Sequence, residues 1–171
     1  LKKIYSGDLW VTDWTEPDMA RTLEAIDAHK DKDYIVGWVD CTVGGRRLGR
    51  GQMHSAEYRP QGDDPMPAQS LKVEHHTLPD TLFGLAPKAL LYKFMRFFMN
   101  NPGVRATNTA KYLLSATLGN HKRSLQSLGA FNFLLDYVPN WELAYGRGGL
   151  IQYQCFIPKD HASEVFTEPL R

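Results

Sequence analysis

Tyr34-Ile-Val-Gly-Trp-Val-Asp-Cys-Thr-Val-Gly-Gly-Arg-Arg-Leu-Gly-Arg-Gly-Gln-Met-His-Ser-Ala-Glu-Tyr58 is the stretch that decides the fold. Tyr34 to Cys41 is rich in β-branched and aromatic residues, Gly44-Gly45 makes a turn, and Leu48 to Tyr58 is the returning strand of a hairpin. Upstream, Leu9-Trp-Val-Thr-Asp13 reads as a short strand. Thr15-Glu16-Pro17-Asp18 then opens a helix: threonine as N-cap, proline in the first turn, acids near the positive end of the helix dipole. The helix runs to about His29 with Met19, Leu23 and Ile26 as its apolar stripe, and Asp31-Lys-Asp33 breaks it. Strand, helix, strand, strand predicts an α+β domain in which helices cover one face of an antiparallel sheet.

Downstream of the hairpin, Arg59 to Ser70 holds three prolines, two acids and a glycine, and is expected to be a mobile surface loop, about 59–70. His75 and His76 project differently on helix or strand and have no evident third ligand, so no metal site is expected. Pro87 opens a helix through about Met99, which Asn101-Pro102-Gly103 ends, and a second helix follows from Val104 to Leu118. Together these make a helical insertion over about 87–119. The first helix carries Leu90, Leu91, Phe94, Phe97 and Phe98, too wide an apolar face for a simple amphipath. It reads either as a buried core helix or as a lid that meets a lipidic substrate or a membrane surface. Lys111 and His121-Lys122-Arg123 read as a solvated basic face.

At 171 residues the chain fits one domain with a real core, and its 43% apolar and 23% charged residues are ordinary for a globular protein. A net charge of +1 makes no electrostatic case for nucleic acid or an anionic membrane. No signal peptide and no bilayer-length apolar run is visible, and Ala89 to Met99 is interrupted by Lys93 and Arg96. Cys41 and Cys155 read as small buried hydrophobes in a reducing compartment, which points to the cytoplasm. Gly44 to Gly51 lies between two strand-like runs, so it is a hairpin rather than a phosphate cradle. Asp13, Asp40, Asp136 and Glu142 are scattered carboxylates, and no complete catalytic apparatus emerges from the residues themselves.

Near the C-terminus, Trp141-Glu-Leu-Ala-Tyr-Gly-Arg-Gly-Gly-Leu-Ile-Gln-Tyr-Gln-Cys-Phe-Ile-Pro158 reads as a glycine-rich turn feeding a strand from Leu150 to Ile157. Alternation puts Ile151, Tyr153, Cys155 and Ile157 on one face, expected to pack on helices. The other face sets Gln152 beside Gln154, and two uncharged carboxamides suit a polyhydroxylated or heterocyclic ligand. Lys159 onward, with Pro158 and Asp160, begins another helix.

The run from Trp141 to Pro158 resembles the substrate-domain signature of FAD-linked oxidoreductases of the vanillyl-alcohol-oxidase type, in the branch of decaprenylphosphoryl-β-D-ribose 2-oxidase and the aldonolactone oxidases. Tyr34…Trp38…Asp40 with Leu48-Gly-Arg-Gly51, and Phe131-Asn-Phe-Leu-Leu-Asp136, are similar to further patterns of that branch, in the same order. The resemblance implies that residues 1–171 are a fragment of a substrate-binding (cap) domain, the FAD-binding domain of the same polypeptide lying upstream and the rest of the cap downstream. It implies FAD as cofactor, a sugar-like substrate, and hydride transfer from a secondary alcohol, with no catalytic residue assigned within the chain. Gln154 aligns with an active-site glutamine of the family, Gln152 shares its face, and Asn132 and Phe133 stand where some relatives have tyrosine and histidine, which puts the family's arabinan-precursor substrate in doubt. An incomplete cap leaves a sheet edge uncovered, so the fragment is expected to self-associate. The competing readings are a non-enzymatic α+β binding or regulatory module and a lipid-handling domain built on the Leu90–Phe98 helix.

Overall fold

A computed structural model describes residues 2–78, 80–82, 86–133, 138–151, 154 and 156–167. The first four elements come in the expected order: β1 (Asp8–Glu16), α1 (Met19–Ala28), β2 (Tyr34–Val39) and β3 (Gly51–Tyr58). Beyond them lie α2 (Pro67–Ser70), the two-residue strands β4 (Thr81–Leu82) and β5 (Ala86–Pro87), α3 (Leu91–Arg96) and α4 (Asn101–Leu114). The last elements are β6 (Lys122–Ser127), α5 (Leu128–Asn132) and α6 (Lys159–Thr167). The fold is α+β, with a four-stranded antiparallel sheet in the order β2-β3-β1-β6. By contact the chain divides into two compact units: Leu1–Trp10, Tyr58–Gly103 and Leu125–Gln152 form one, and Val11–Glu57, Val104–Ser124 and Tyr153–Arg171 the other.

The second unit is built on the hairpin. Gly44-Gly45 makes the expected turn, Gly45 with φ of 65° leading into a 3-10 turn at Gly45–Arg47. The register pairs Ile35 with Ser55, Gly37 with Met53 and Trp38 with Gln52, so alternation sorts the hairpin into two faces. On the face of Ile35 and Met53, the buried Trp14 and Ala25 complete an apolar cluster, which seats α1. Gly37 lies so close to the Met53 thioether that a Cβ there would come within 3.0 Å of its sulfur. The start of α1 is tied to the turn of the hairpin: the Met19 N–H donates to the Leu48 carbonyl at 2.9 Å, and the Thr22 hydroxyl to the Gly49 carbonyl at 3.0 Å. Gly49 has φ of 77°, and a Cβ on it would meet Met19 Cβ at 2.6 Å, so this junction requires glycine.

Two details of α1 differ from expectation. β1 continues through Thr15 to Glu16, so Asp18 rather than Thr15 is the N-cap, its carboxylate accepting the Arg21 N–H at 2.9 Å. The residues turned into the core are Met19, Thr22 and Ala25, while Leu23 and Ile26 sit one position round the helix, facing α6. Small side chains allow close approach to the sheet, and the larger ones serve a second helix.

In the first unit, the segment expected as a loop over 59–70 contains α2 and is held by polar contacts. The Arg59 guanidinium is buried, with Nε donating to Asp63 Oδ2 at 2.7 Å and with Asp8 and Asp64 within 4.0 Å. Asp64 accepts from the Ser6 hydroxyl at 2.6 Å, the Ser70 hydroxyl at 2.5 Å and the Met66 N–H at 2.9 Å. These bonds hold its carboxyl down at about 2. His75 pairs with Asp8 at 2.7 Å, and His76 Nδ1 accepts the Gly129 N–H at 3.3 Å. α3 packs against a 3-10 segment at Trp141–Gly148, inside which Gly146, with φ of 62°, makes a kink.

Four expectations are corrected. Asn101-Pro102-Gly103 does not end the preceding helix but forms the first turn of α4, with Asn100 Oδ1 accepting the Gly103 N–H at 2.9 Å. The aromatic helix is not a buried core element: Phe94 is 62% and Phe97 79% exposed. The described residues of the expected strand from Leu150 to Ile157 form no strand, and Ile151 and Phe156 are 94% and 92% exposed. Alternation specifies two faces but not a neighbouring strand, and an extended segment without a ladder partner gains nothing from leaving water. Cys41 lies beyond the end of β2 and is exposed, not a small buried hydrophobe; Cys155 is outside the described residues.

Candidate functional site

The face of the hairpin opposite Met53 is polar. It carries Trp38 and Gln52, paired across the strands, and His54, which pairs with Val36. From β1, Asp13 reaches His54, with its Oδ1 2.6 Å from the imidazole Nδ1 and both side chains about three-quarters buried, at 28% and 24% exposure. A carboxylate on Nδ1 fixes the ring's orientation and tautomer and leaves Nε2 as the basic nitrogen, which is how an imidazole is set up to receive a proton. From α4, the Lys111 ammonium stands 4.4 Å from the Trp38 ring centroid. Lys111 remains open to water over much of its surface, yet loss of hydration at the ammonium draws its pKa below the ordinary lysine value.

At the turn end of the hairpin this face is anchored by a buried ion pair. Asp40, directly after β2, and Arg50, directly before β3, have 0% and 5% side-chain exposure, and Arg50 Nη2 is 3.0 Å from Asp40 Oδ2. Asp40 Oδ1 also accepts from the Thr42 N–H at 2.9 Å, the Thr42 hydroxyl at 2.6 Å and Asn108 Nδ2 at 3.1 Å. Burial alone pulls the Asp40 carboxyl upward, but the hydrogen bonds from Thr42, Asn108 and Arg50 outweigh it and hold the pKa below the ordinary carboxylate value. Arg50 in turn donates to the Thr109 hydroxyl at 2.7 Å and stacks 4.9 Å from the Tyr112 ring centroid. Arg105 Nε donates to the Thr42 carbonyl at 2.9 Å. Arg105, Asn108, Thr109 and Tyr112 recur at the three- and four-residue spacing of one helical face. α4 therefore docks through a polar stripe.

Of the residues expected at the site, Gln154 and Asn132 are described. Gln154 is exposed and belongs to no strand. Gln152 is outside the described residues. Asn132 closes α5 with its amide donating to the Leu128 carbonyl at 3.0 Å, a local helix-end contact. Asn132 belongs to the first unit and Gln154 to the second. The polar hairpin face was half legible. Once Gly44-Gly45 is taken as the turn, alternation sets Trp38, Gln52 and His54 on one side, but Asp13 and Lys111 arrive from elements distant in sequence. Among the described residues no group of three His, Cys, Asp or Glu side chains could hold a metal ion, and no helix is long and apolar enough to cross a membrane.

No protein-family model matches the chain, and no curated protein matches it.

Proposed function

We propose that the chain is the substrate-side part of an FAD-dependent oxidoreductase that oxidises a secondary alcohol of a sugar or sugar derivative. The observation that carries this reading is the Trp141-to-Pro158 run, in register with Tyr34…Trp38…Asp40 and Leu48-Gly-Arg-Gly51. The polar hairpin face supports it with an imidazole about three-quarters buried and oriented by a carboxylate, beside a carboxamide and an indole. The glycine-rich stretch Gly44–Gly51 does not fit the pyrophosphate of FAD, because it joins two strands rather than a strand and a helix. The cofactor would be held mainly by a domain outside this chain, which here would meet only its ring end.

The chemistry FAD supplies when bound is acceptance of a hydride from the carbinol carbon. The chain's own part is to hold the alcohol and take its proton. As the C–H pair of electrons leaves, the O–H proton passes to His54 Nε2, and the former O–H pair becomes the second bond of the carbonyl. Asp13 keeps Nδ1 protonated and stabilises the imidazolium that forms. Gln52, on the same face as His54, is the amide available to orient a neighbouring hydroxyl group.

The test is to express the whole reading frame that encodes this segment and follow flavin absorbance anaerobically as aldoses and polyols are added. A flavoprotein whose absorbance bleaches with one of them is the expected result, with His54→Gln slowing the bleaching by about 100-fold or more. A product that purifies without flavin would return the chain to the class of non-enzymatic α+β binding modules, a reading that draws on the exposure of Gln154. Unchanged bleaching in His54→Gln would remove His54 as the proton acceptor.

A further inference from the structure

The net charge of +1 hides a local imbalance in the first unit. From Thr81 through Gly103 the chain carries Lys88, Lys93 and Arg96 and neither an aspartate nor a glutamate. α3 sits within this run and packs against the 3-10 segment at Trp141–Gly148. Its exposure follows the helical turn: Leu91, Tyr92 and Met95 are half-buried, while Lys93, Phe94, Arg96 and Phe97 are exposed. Phe98, one turn beyond Phe94, is exposed as well, and their ring centroids lie 5.1 Å apart. The outward side of α3 is therefore an aromatic patch studded with cations, and a cluster of large apolar groups left in water marks a surface that meets something.

The surroundings do not neutralise this charge. Lys88 is buried and lies beside Asp80, whose carbonyl accepts its N–H at 2.9 Å, so it adds nothing to the surface. On the 3-10 segment Glu142 and Arg147 are both exposed and offset each other. Among the described residues no carboxylate pairs with Lys93 or Arg96. The Arg96 guanidinium lies over the kink of the 3-10 segment, where a Cβ on Gly146 would stand 3.6 Å from its Nη2. Phenyl rings and unpaired cations on one short element call for a partner that is apolar at one depth and anionic at another. A second copy of the same face does not supply this, because a two-fold contact sets the patch against itself and brings like charges together. The surface of an anionic bilayer does: phosphates at the headgroup level meet the cations, and the rings enter the acyl boundary at a depth of about 5–10 Å.

We propose that the exposed side of α3 docks on the surface of a bilayer rich in anionic phospholipid, with Phe94 and Phe97 inserted and Lys93 and Arg96 on the headgroups. The docking surface is independent of the oxidoreductase reading. The test is flotation of this chain, as purified, with vesicles of phosphatidylcholine alone and with vesicles of equal parts phosphatidylcholine and phosphatidylglycerol. Flotation with the second kind only is the expected result. Phe97→Ser is expected to weaken it by about tenfold or more, through the loss of the inserted ring. Lys93→Gln is expected to weaken it about fivefold, the effect of one basic side chain near an anionic surface. Both residues already face water, so each variant should unfold at the wild-type urea concentration, which separates lost docking from lost structure. Phe94→Ser removes the neighbouring ring, and serves should Phe97→Ser not fold. The proposal is overturned if the chain floats with neither kind of vesicle, if it floats equally well with both, or if either the serine or the glutamine variant floats as wild type does. A chain that floats with neither and sediments as a dimer, which Phe97→Ser dissociates, would assign the face to a second copy instead.

Discussion

α1 and α4 are held to the same hairpin by opposite means. α1 lies over the Met53 face, where Trp14, Ala25, Met53 and Ile35 make an apolar cluster and the polar groups that matter are backbone carbonyls at the helix start. α4 meets the Trp38 face and the turn end of the hairpin with Arg105, Asn108, Thr109, Lys111 and Tyr112, and leaves Leu113 and Leu114 53% and 59% exposed. Apolar packing tolerates small sliding movements at little cost, because it has no direction. A polar contact of this kind does not, since a displaced donor or acceptor is left buried and unsatisfied. The hairpin thus has one side fixed by volume and one fixed by hydrogen-bond geometry, and the His54–Asp13 pair lies on the second.

The strongest way to break this contrast is Asp40→Ala. It removes the carboxylate that gathers Thr42, Asn108 and Arg50, and strands a guanidinium that is 5% exposed. Deleting one partner of a buried ion pair costs about 3–5 kcal/mol, and urea unfolding of wild type and variant at neutral pH measures it. Replacing both partners, as Asp40→Leu with Arg50→Met, is expected to cost less than Asp40→Ala alone, because no unpaired charge remains. The pH dependence adds a second check. The folded-state pKa of Asp40 is lowered from 3.8, so its contribution is present above that value and is lost as pH falls through the lower folded one. The gap between wild type and Asp40→Ala should therefore narrow below about pH 4. A gap that stays constant down to pH 2 would mean that Asp40 acts by shape rather than by charge.

On the other side of the hairpin, Met53→Ala removes a fully buried side chain from the α1 cluster, and the expected loss is about 2–5 kcal/mol. This loss should show no step across the acid range, since no carboxylate is involved. Met53→Leu conserves volume and should cost less than about 1.5 kcal/mol. Asp40 has no such substitute. Asp40→Asn would keep the size and lose both the charge and one acceptor, and that asymmetry is the measurable difference between the two sides.

The sequence displayed the apolar side more fully than the polar one. Tyr34 to Cys41 is rich in β-branched and aromatic residues, Gly44-Gly45 punctuates the stretch, and it folds as the hairpin that this pattern requires. α1 was legible as a helix, but its sheet-facing side was not, because Leu23 and Ile26 advertise a stripe that belongs to α6 while Thr22 and Ala25 make the close approach. α4 was legible from its length, yet the side that docks is the one a hydrophobic pattern assigns to water, and only the buried Asp40–Arg50 pair explains why. The Trp141–Pro158 run shows the converse. Its alternation was plain, but alternation names two faces without naming a strand to pair with, and the described residues from Leu150 to Ile157 join no sheet. Of the candidate site, Trp38, Gln52 and His54 follow from the hairpin register, whereas Asp13 and Lys111 depend on how distant elements meet.

Lys111 supplies the smallest and finest test, because two effects oppose each other in it. Its ammonium over the Trp38 indole is a cation–π contact worth about 0.5–1 kcal/mol at an exposed position. Its pKa nevertheless lies below 10.5, which means that the charged form loses more by dehydration at this spot than it gains from its surroundings. Lys111→Met keeps the stem that covers the ring and removes the charge, so at neutral pH the change in stability should stay within about 0.5 kcal/mol in either direction. The sign appears on raising the pH. Between the lowered folded value and 10.5 the unfolded chain holds more protons on Lys111 than the folded one, so wild-type stability rises with pH there, and the methionine variant lacks that rise. Comparing urea midpoints of the two proteins at about pH 7 and about pH 10 isolates it, since every other group titrates alike in both. If wild type instead loses ground to the variant at the higher pH, the indole holds the ammonium more tightly than dehydration disfavours it. Attraction, and not only packing, would then bind α4 to the Trp38 face.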